Sequence, residues 1–213
     1  MNKFTDTWNE SKSLKDKVGG ILKSEKPLKP MIEQAIRQIQ VQITKLDLVY
    51  ARIKERGLKI FNNVVQSIQK HDIQYASMFA NELIEVRRMN KMVAQSKLAL
   101  EQIMLRLATV RDLGDITSTL GPTIPVIRSI KSGLARVVPE AENEIREISD
   151  LLNDVIINAS QTGEERINFR ILNEDAEKIL AEASTIAEER VKHIFPEIPE
   201  LPSQKVKISE TVQ

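Results

Sequence analysis

The stretch IEQAIRQIQVQITKLDLVYARIKERGLKIFNNV, from Ile32 to Val64, decides the fold. Within it Ile32, Ile36, Ile39, Ile43, Leu46, Tyr50, Ile53, Gly57, Ile60 and Val64 follow one another at alternating steps of four and three. A seven-residue apolar repeat of this kind draws one narrow seam along a helix. At ~1.5 Å of rise per residue, the run of about forty residues after Pro30 makes a helix roughly 55–60 Å long. Such a helix needs a partner of similar length along that seam. Gly57 falls on the seam, where a glycine costs about 1 kcal/mol relative to alanine, so a close approach of the facing helix is expected there. A second apolar set, Val41, Leu48, Leu58, Phe61 and Val65, lies off the seam and calls for a further helix or a neighbouring subunit.

Downstream residues supply the partner. Lys70-His71-Asp72 marks a reversal, with Asp72 placed to cap the next helix and His71 read as a turn residue. The return helix carries Phe79, Leu83, Val86, Val93, Leu100, Met104 and Leu107 at steps of three, four or seven. Two long antiparallel helices joined by a short turn form a helical hairpin over about residues 27–112, opened by Pro27 and Pro30. Asn90 lies on the return seam, either fixing register or partly exposed. Residues 113–139 are interrupted by Gly114, Gly121, Pro122, Pro125 and Gly133, a hinge holding one short helix from about Pro122. Acidic helices follow over 140–192. The first has Ile145, Ile148, Leu151, Leu152, Val155 and Ile156 on its apolar face, the second Leu172, Ile179, Leu180, Ala183, Ile186, Ala187 and Val191. The expected class is all-α: a long antiparallel hairpin with shorter C-terminal helices.

Composition agrees. Aromatic residues make up 4% of the 213, and there are 7 glycines and no cysteine. That mix favours long helices, excludes disulfides and thiol-ligated metal, and fits a cytoplasmic protein. No apolar run is long enough to span a bilayer, and the polar N-terminus lacks the apolar core of a secretory signal. The formal charge of +1 conceals an asymmetry. Residues 1–139 hold 23 basic against 13 acidic side chains, and residues 140–202 hold 6 against 16. Segments of opposite charge attract each other, so the acidic region is expected to fold back on the basic hairpin. The plainer reading is two solvated helical regions whose charges serve solubility.

Two ends carry candidate binding residues. In 1–24 an amphipathic arm places Phe4 and Trp8 among Lys12, Lys15, Lys17 and Lys23, a pattern suited to an anionic bilayer surface. The alternative is a frayed arm packed on the main helices, since Gly19-Gly20 breaks any continuous helix. In 193–213 the run Ile194-Phe195-Pro196-Glu197-Ile198-Pro199-Glu200-Leu201-Pro202 sets a proline at every third residue with an apolar residue before it. That favours an extended strand of the kind partner grooves recognise. The other reading is a proline-rich stop after the helix. Catalysis has little to work with: the two histidines, His71 and His193, lack a glutamate three residues before them, and no phosphate loop or zinc-protease motif occurs. No enzyme, no metal and no cofactor is expected. Nucleic acid is not an expected partner, because aromatic stacking residues are nearly absent along the hairpin.

A basic helical hairpin, a shorter third helix, acidic C-terminal helices and a proline-rich apolar tail, in that order over about residues 1–202, resemble the ESCRT-III family. The match looks like a shorter archaeal cell-division (Cdv) member without a C-terminal winged helix, since eleven residues follow Pro202. The resemblance implies self-assembly with paralogous subunits into filaments on the inner face of the cell membrane at the division site. There they would drive constriction and scission. It implies disassembly by an AAA-type ATPase gripping a tail motif, which here is Phe195, Pro196, Ile198, Pro199, Leu201 and Pro202. It also makes Phe4 and Trp8 the counterpart of a membrane-inserting segment. The alternative is a soluble coiled-coil scaffold with a proline-rich docking tail and no membrane role.

Overall fold

The computed structural model describes residues 28–113, 116–160 and 169–197. Every regular element among them is a helix: α1 (Leu28–Gln69), α2 (Ile73–Leu113), the single turn α3 (Thr117–Leu120), α4 (Thr123–Leu134), α5 (Ala141–Ser160) and α6 (Phe169–Ile194). The first two span 42 and 41 residues and run antiparallel. On the α1 seam Ile32, Ile39, Ile43, Leu46, Ile60 and Val64 are buried, while Ile36 and Ile53 are half-buried at its margin. Leu83, Val86, Val93, Leu100 and Leu107 of α2 face them as buried residues, with Phe79 and Met104 half-buried.

Backbone chemistry sets the reversal. His71 adopts φ 58°, the left-handed conformation that closes a helix C-terminus. The N–H groups of His71 and Asp72 donate to the carbonyls of Ile68 and Ser67 at 3.0 and 2.9 Å, which satisfies acceptors the helix itself leaves open. Asp72 then caps α2, its Oδ1 accepting from the Tyr75 N–H at 3.2 Å.

A hairpin buries one stripe of each helix, and the remaining apolar faces take a second layer at the end away from the turn. There α4 packs on α2, α5 on α1 and α4, and α6 on α2 and α4. The chain reaches this layer through the expected breaks. Gly121-Pro122 forms a turn, and the buried Thr123 donates from Oγ1 to the Leu120 carbonyl at 2.6 Å. Pro125 sits in the first turn of α4, where no intrahelical N–H is needed. The resulting core joins Ile39 and Leu46 of α1, Leu100 and Leu107 of α2, Ile127 and Ile130 of α4, and Ile145 and Leu152 of α5. Each large aliphatic side chain so buried contributes about 1.5–3 kcal/mol.

Three of the five off-seam residues on α1 find no such cover. Val41 and Leu48 remain 54% and 58% exposed, Leu58 is also exposed, and Phe61 and Val65 are half-buried. No helix among the described residues covers Val41, Leu48 or Leu58.

Asn90 is fully buried on the α2 seam, which decides against partial exposure. Neither its Oδ1 nor its Nδ2 has a hydrogen-bond partner among the described residues. A buried amide in that state costs about 1–3 kcal/mol of desolvation. Asn90→Leu, nearly equal in size, is therefore expected to raise the unfolding free energy by about 1 kcal/mol. Urea denaturation checks it, and a lower midpoint would mean that the amide is satisfied by ordered water.

Candidate functional site

The functional side chains fall where the end of α6 meets the middle of the hairpin. Phe195 follows the last residue of α6, and its N–H still donates to the Val191 carbonyl at 3.0 Å. Pro196 has no N–H to continue the ladder, so the helix stops there. The Phe195 ring turns inward: it is 4% exposed and closes a small apolar cluster with Ile60, Leu83 and Val86. Ile194 is the last helical residue rather than the start of an extended strand, which corrects the expectation for this part of the tail. Ile194 does not itself precede a proline, so its backbone is free to complete the last turn.

Gly57 is what gives the ring its place. A Cβ at this position would stand 2.3 Å from Phe195 Cε1 and 2.8 Å from Cζ, with Val86 Cγ1 next at 3.2 Å. The expected close approach at Gly57 is real, but its first partner is the ring from the tail, and the facing helix comes second. Arg87 completes the site. Its Cζ lies 5.6 Å from the Phe195 ring centroid, within cation–π range, and its Nη2 donates to the Pro196 carbonyl. Burial lowers the Arg87 pKa, yet a guanidinium starting this high stays charged in any ordinary buffer. Ring, cation and carbonyl together hold one phenylalanine–proline step against the hairpin.

Along the second layer the acidic helices meet basic residues of the hairpin and of α4, as the charge asymmetry suggested. Lys91 pairs with Glu188 of α6 at 2.8 Å, Lys45 with Glu144 of α5, and Lys131 of α4 with Glu142 at 3.4 Å. Gln102 donates to Glu182 at 3.3 Å. These pairs are solvent-exposed, and exposed pairs contribute about 0.2–1 kcal/mol each at most. The apolar faces therefore hold the layer, and the charges set its register.

The sequence-predicted residues divide sharply. The seam residues Ile32, Ile36, Ile39, Ile43, Leu46, Ile53, Ile60 and Val64 line the inside of the hairpin. Of the tail set, Phe195 and Pro196 reach the pocket just described. Ile198, Pro199, Leu201 and Pro202 lie outside the described residues, as do Phe4, Trp8, Lys12, Lys15, Lys17 and Lys23 of the arm. Gly57 and Arg87 as receptors for Phe195 escaped the sequence reading, although a glycine on an otherwise unbroken seam signalled that something large comes close. Among the described residues no group of three His, Cys, Asp or Glu side chains is placed to hold a metal ion.

Glu188 gives the contact a pH dependence. Hydrogen bonds from Lys91 and Lys192 hold its carboxyl at about 2, below the ordinary 4.5. A depressed carboxyl stabilises the folded contact fully above its ordinary pKa and loses that contribution as pH falls through the depressed value. Acid is therefore expected to loosen α6 from α2 between about 4.5 and about 2. Lys91→Met should move the Glu188 titration upward, read by carboxyl-carbon NMR; an unmoved titration would mean that Lys192 alone sets it.

Two curated relatives match nearly the whole chain. Cell division protein B1 of Sulfolobus acidocaldarius is 36% identical over 196 residues, covering 92% of this chain and 89% of the relative. Cell division protein B of the same organism is 28% identical over 203 residues, covering 93% and 78%. No protein-family profile matches the chain, and no solved structure matches it. An all-helical hairpin with folded-back acidic helices, and identity at this level over nine-tenths of the length, place the chain in the archaeal ESCRT-III-like cell-division family.

Proposed function

We propose that this protein is a subunit of a membrane-remodelling polymer that acts in cell division, assembling on the inner face of the membrane and being dismantled by an AAA-type ATPase. The names of both relatives support the division role. The observation that carries the reading further is the closed arrangement itself. A basic hairpin is covered on one side by acidic helices, and the tail is pinned to it at Phe195. No helix among the described residues is long and apolar enough to cross a membrane, so membrane contact would be peripheral.

The physical logic is competition. Anionic lipid offers the hairpin lysines and arginines the same charge that Glu144 and Glu188 offer them in the closed chain. Lateral contact with a neighbouring subunit would cover Val41 and Leu48, which the closed chain leaves in water. The amphipathic arm with Phe4 and Trp8 would add apolar insertion to that attraction. The tail would then serve disassembly, its apolar residues filling pockets of the ATPase's N-terminal domain.

Sedimentation of the full chain with and without anionic vesicles, with the pellets viewed by negative-stain microscopy, tests the reading. Filaments or tubulated vesicles that appear with lipid, and fewer of them at high salt, are the expected result. Discrete oligomers indifferent to lipid would return the protein to the soluble-scaffold reading. For the tail, Ile198→Asp together with Leu201→Asp should abolish ATPase binding while polymers persist. Undiminished binding in a titration would remove those residues from the motif.

A further inference from the structure

Where α5 lies against α1, two hollows of about 220 and 280 Å³ open side by side. They share Gln42 and the Lys45–Glu144 ion pair as a common wall. Val41 borders the first and Leu48 the second, and these side chains are 54% and 58% exposed. Gln38 also lines the first, and its side-chain oxygen is buried without a hydrogen-bond partner among the described residues. Apolar side chains in water beside an unsatisfied buried acceptor mark a groove that lacks its occupant. Its α1 edge carries Arg37 and Arg52, and its α5 edge Glu140 and Glu147, so an occupant with charges of both signs fits it.

Residues 1–27 precede α1, and their sequence answers this groove. Read as a helix, 4–18 puts Phe4 and Trp8 at one end of a face and Leu14 and Val18 at the other, interrupted by Ser11 and Lys15. Two apolar groups around a polar middle match two hollows around an ion pair. That helix would be ~21 Å long, and the groove from Arg37 to Arg52 runs ~22 Å along α1. Gly19-Gly20 breaks the helix and lets the chain reverse. From Leu28 back to Arg37 is ~14 Å along α1, well within the reach of residues 19–27. The arm carries Asp6, Glu10 and Asp16 as well as Lys12, Lys15 and Lys17, the mixture the groove edges call for. A tethered segment also meets the groove at an effective concentration on the order of millimolar, above that of any separate copy in dilute solution.

We propose that the groove between α1 and α5 is the docking site of residues 4–18 of the same chain, which lie in it as an amphipathic helix antiparallel to α1 while the subunit is unassembled. Val41 and Leu48 then leave the water, and Phe4 and Trp8 leave it with them. The docking stands apart from the proposed membrane role, and only its consequence rests on that role. One release presents two surfaces at once, the arm to lipid and Val41 with Leu48 to a neighbouring subunit. A subunit away from the membrane presents neither.

Trp8 is the only tryptophan in the sequence, so its fluorescence reports on the arm alone. Emission and acrylamide quenching are read without lipid for the full chain over a series of dilutions, beside a synthetic peptide of residues 1–27. Val41→Glu and Leu48→Glu put a charge in each hollow, and Met78→Glu, near the turn and away from the groove, is the control. All three side chains are more than half exposed, so the substitutions spare the core, and thermal melts confirm folding. The full chain should emit to the blue of the peptide and be quenched several-fold less at every dilution. Val41→Glu and Leu48→Glu should restore the emission and quenching of the peptide, and Met78→Glu should leave Trp8 protected. A Trp8 as accessible in the full chain as in the peptide would overturn the docking. Protection that fades on dilution would overturn it too, giving the groove to a second copy. Protection that survives both groove substitutions, or that Met78→Glu also abolishes, would place the arm elsewhere. Each of these failures leaves the result of sedimentation with vesicles standing.

Discussion

A two-helix hairpin buries one stripe of each helix and leaves the flanks of that stripe to be covered by something else. Everything beyond α2 follows from that constraint. Near the end away from the turn, α4, α5 and α6 supply the cover and turn a seam into a core that includes Ile127, Ile145 and Leu152. Towards the turn the cover thins to the end of α6, where Phe195, with the half-buried Val191 and Ile194, packs over Ile60, Leu83 and Val86. Beyond it the hairpin carries only small or seam residues such as Val64, Ala76 and Ala80 in burial, with Tyr75 and Met78 exposed.

The acidic and basic halves attract each other, yet the magnitudes give the apolar layer priority. The ion pairs Lys45–Glu144 and Lys91–Glu188 join exposed side chains, so water and salt screen them. Ile145, Ile148, Leu152 and Val155 of α5 are buried outright and unaffected by ionic strength. Charge is therefore suited to exchange with another charged partner, while apolar burial holds whichever arrangement has formed. A surface charge pair can be exchanged for a phosphate at little net cost, and a buried isoleucine cannot.

Periodicity made the hairpin legible, because a seam read at steps of four and three is a local pattern and needs no knowledge of the partner. The reversal was legible for the same reason: Asp72 is a cap by its chemistry, and His71 sits where the chain must turn. The relation of Gly57 to Phe195 was not legible. Both residues stood out, one as a helix breaker on a seam and the other as an aromatic before proline, but nothing local pairs positions so distant in the chain. Local preference pointed to an extended strand from Ile194 onward, whereas Ile194 closes α6 and the Phe195 ring is buried on the hairpin. Asn90 was ambiguous on similar grounds, since its burial depends on what packs over α2. The arm with Phe4 and Trp8 and the tail from Ile198 fall outside the described residues, so their roles rest on sequence pattern and resemblance.

The two covering helices present different apolar faces among the described side chains. Among the side chains described, α5 buries Ala141, Ile145, Ile148, Leu152, Val155 and Ala159, whereas α6 buries Ala176, Ile179, Ala183 and Ala187 and keeps Leu180, Val191 and Ile194 half-buried. Burial scales with apolar area, and over these residues α6 holds less of it than α5. Segments with little buried apolar area open at lower free energy than the core they rest on. At the end of α6 that difference is offset by Val191, Ile194 and Phe195, which pack against Ile60, Leu83 and Val86 of the hairpin. Under the proposed reading of the tail, the last helix is fastened to the hairpin by the first residue of the stretch that a partner would take.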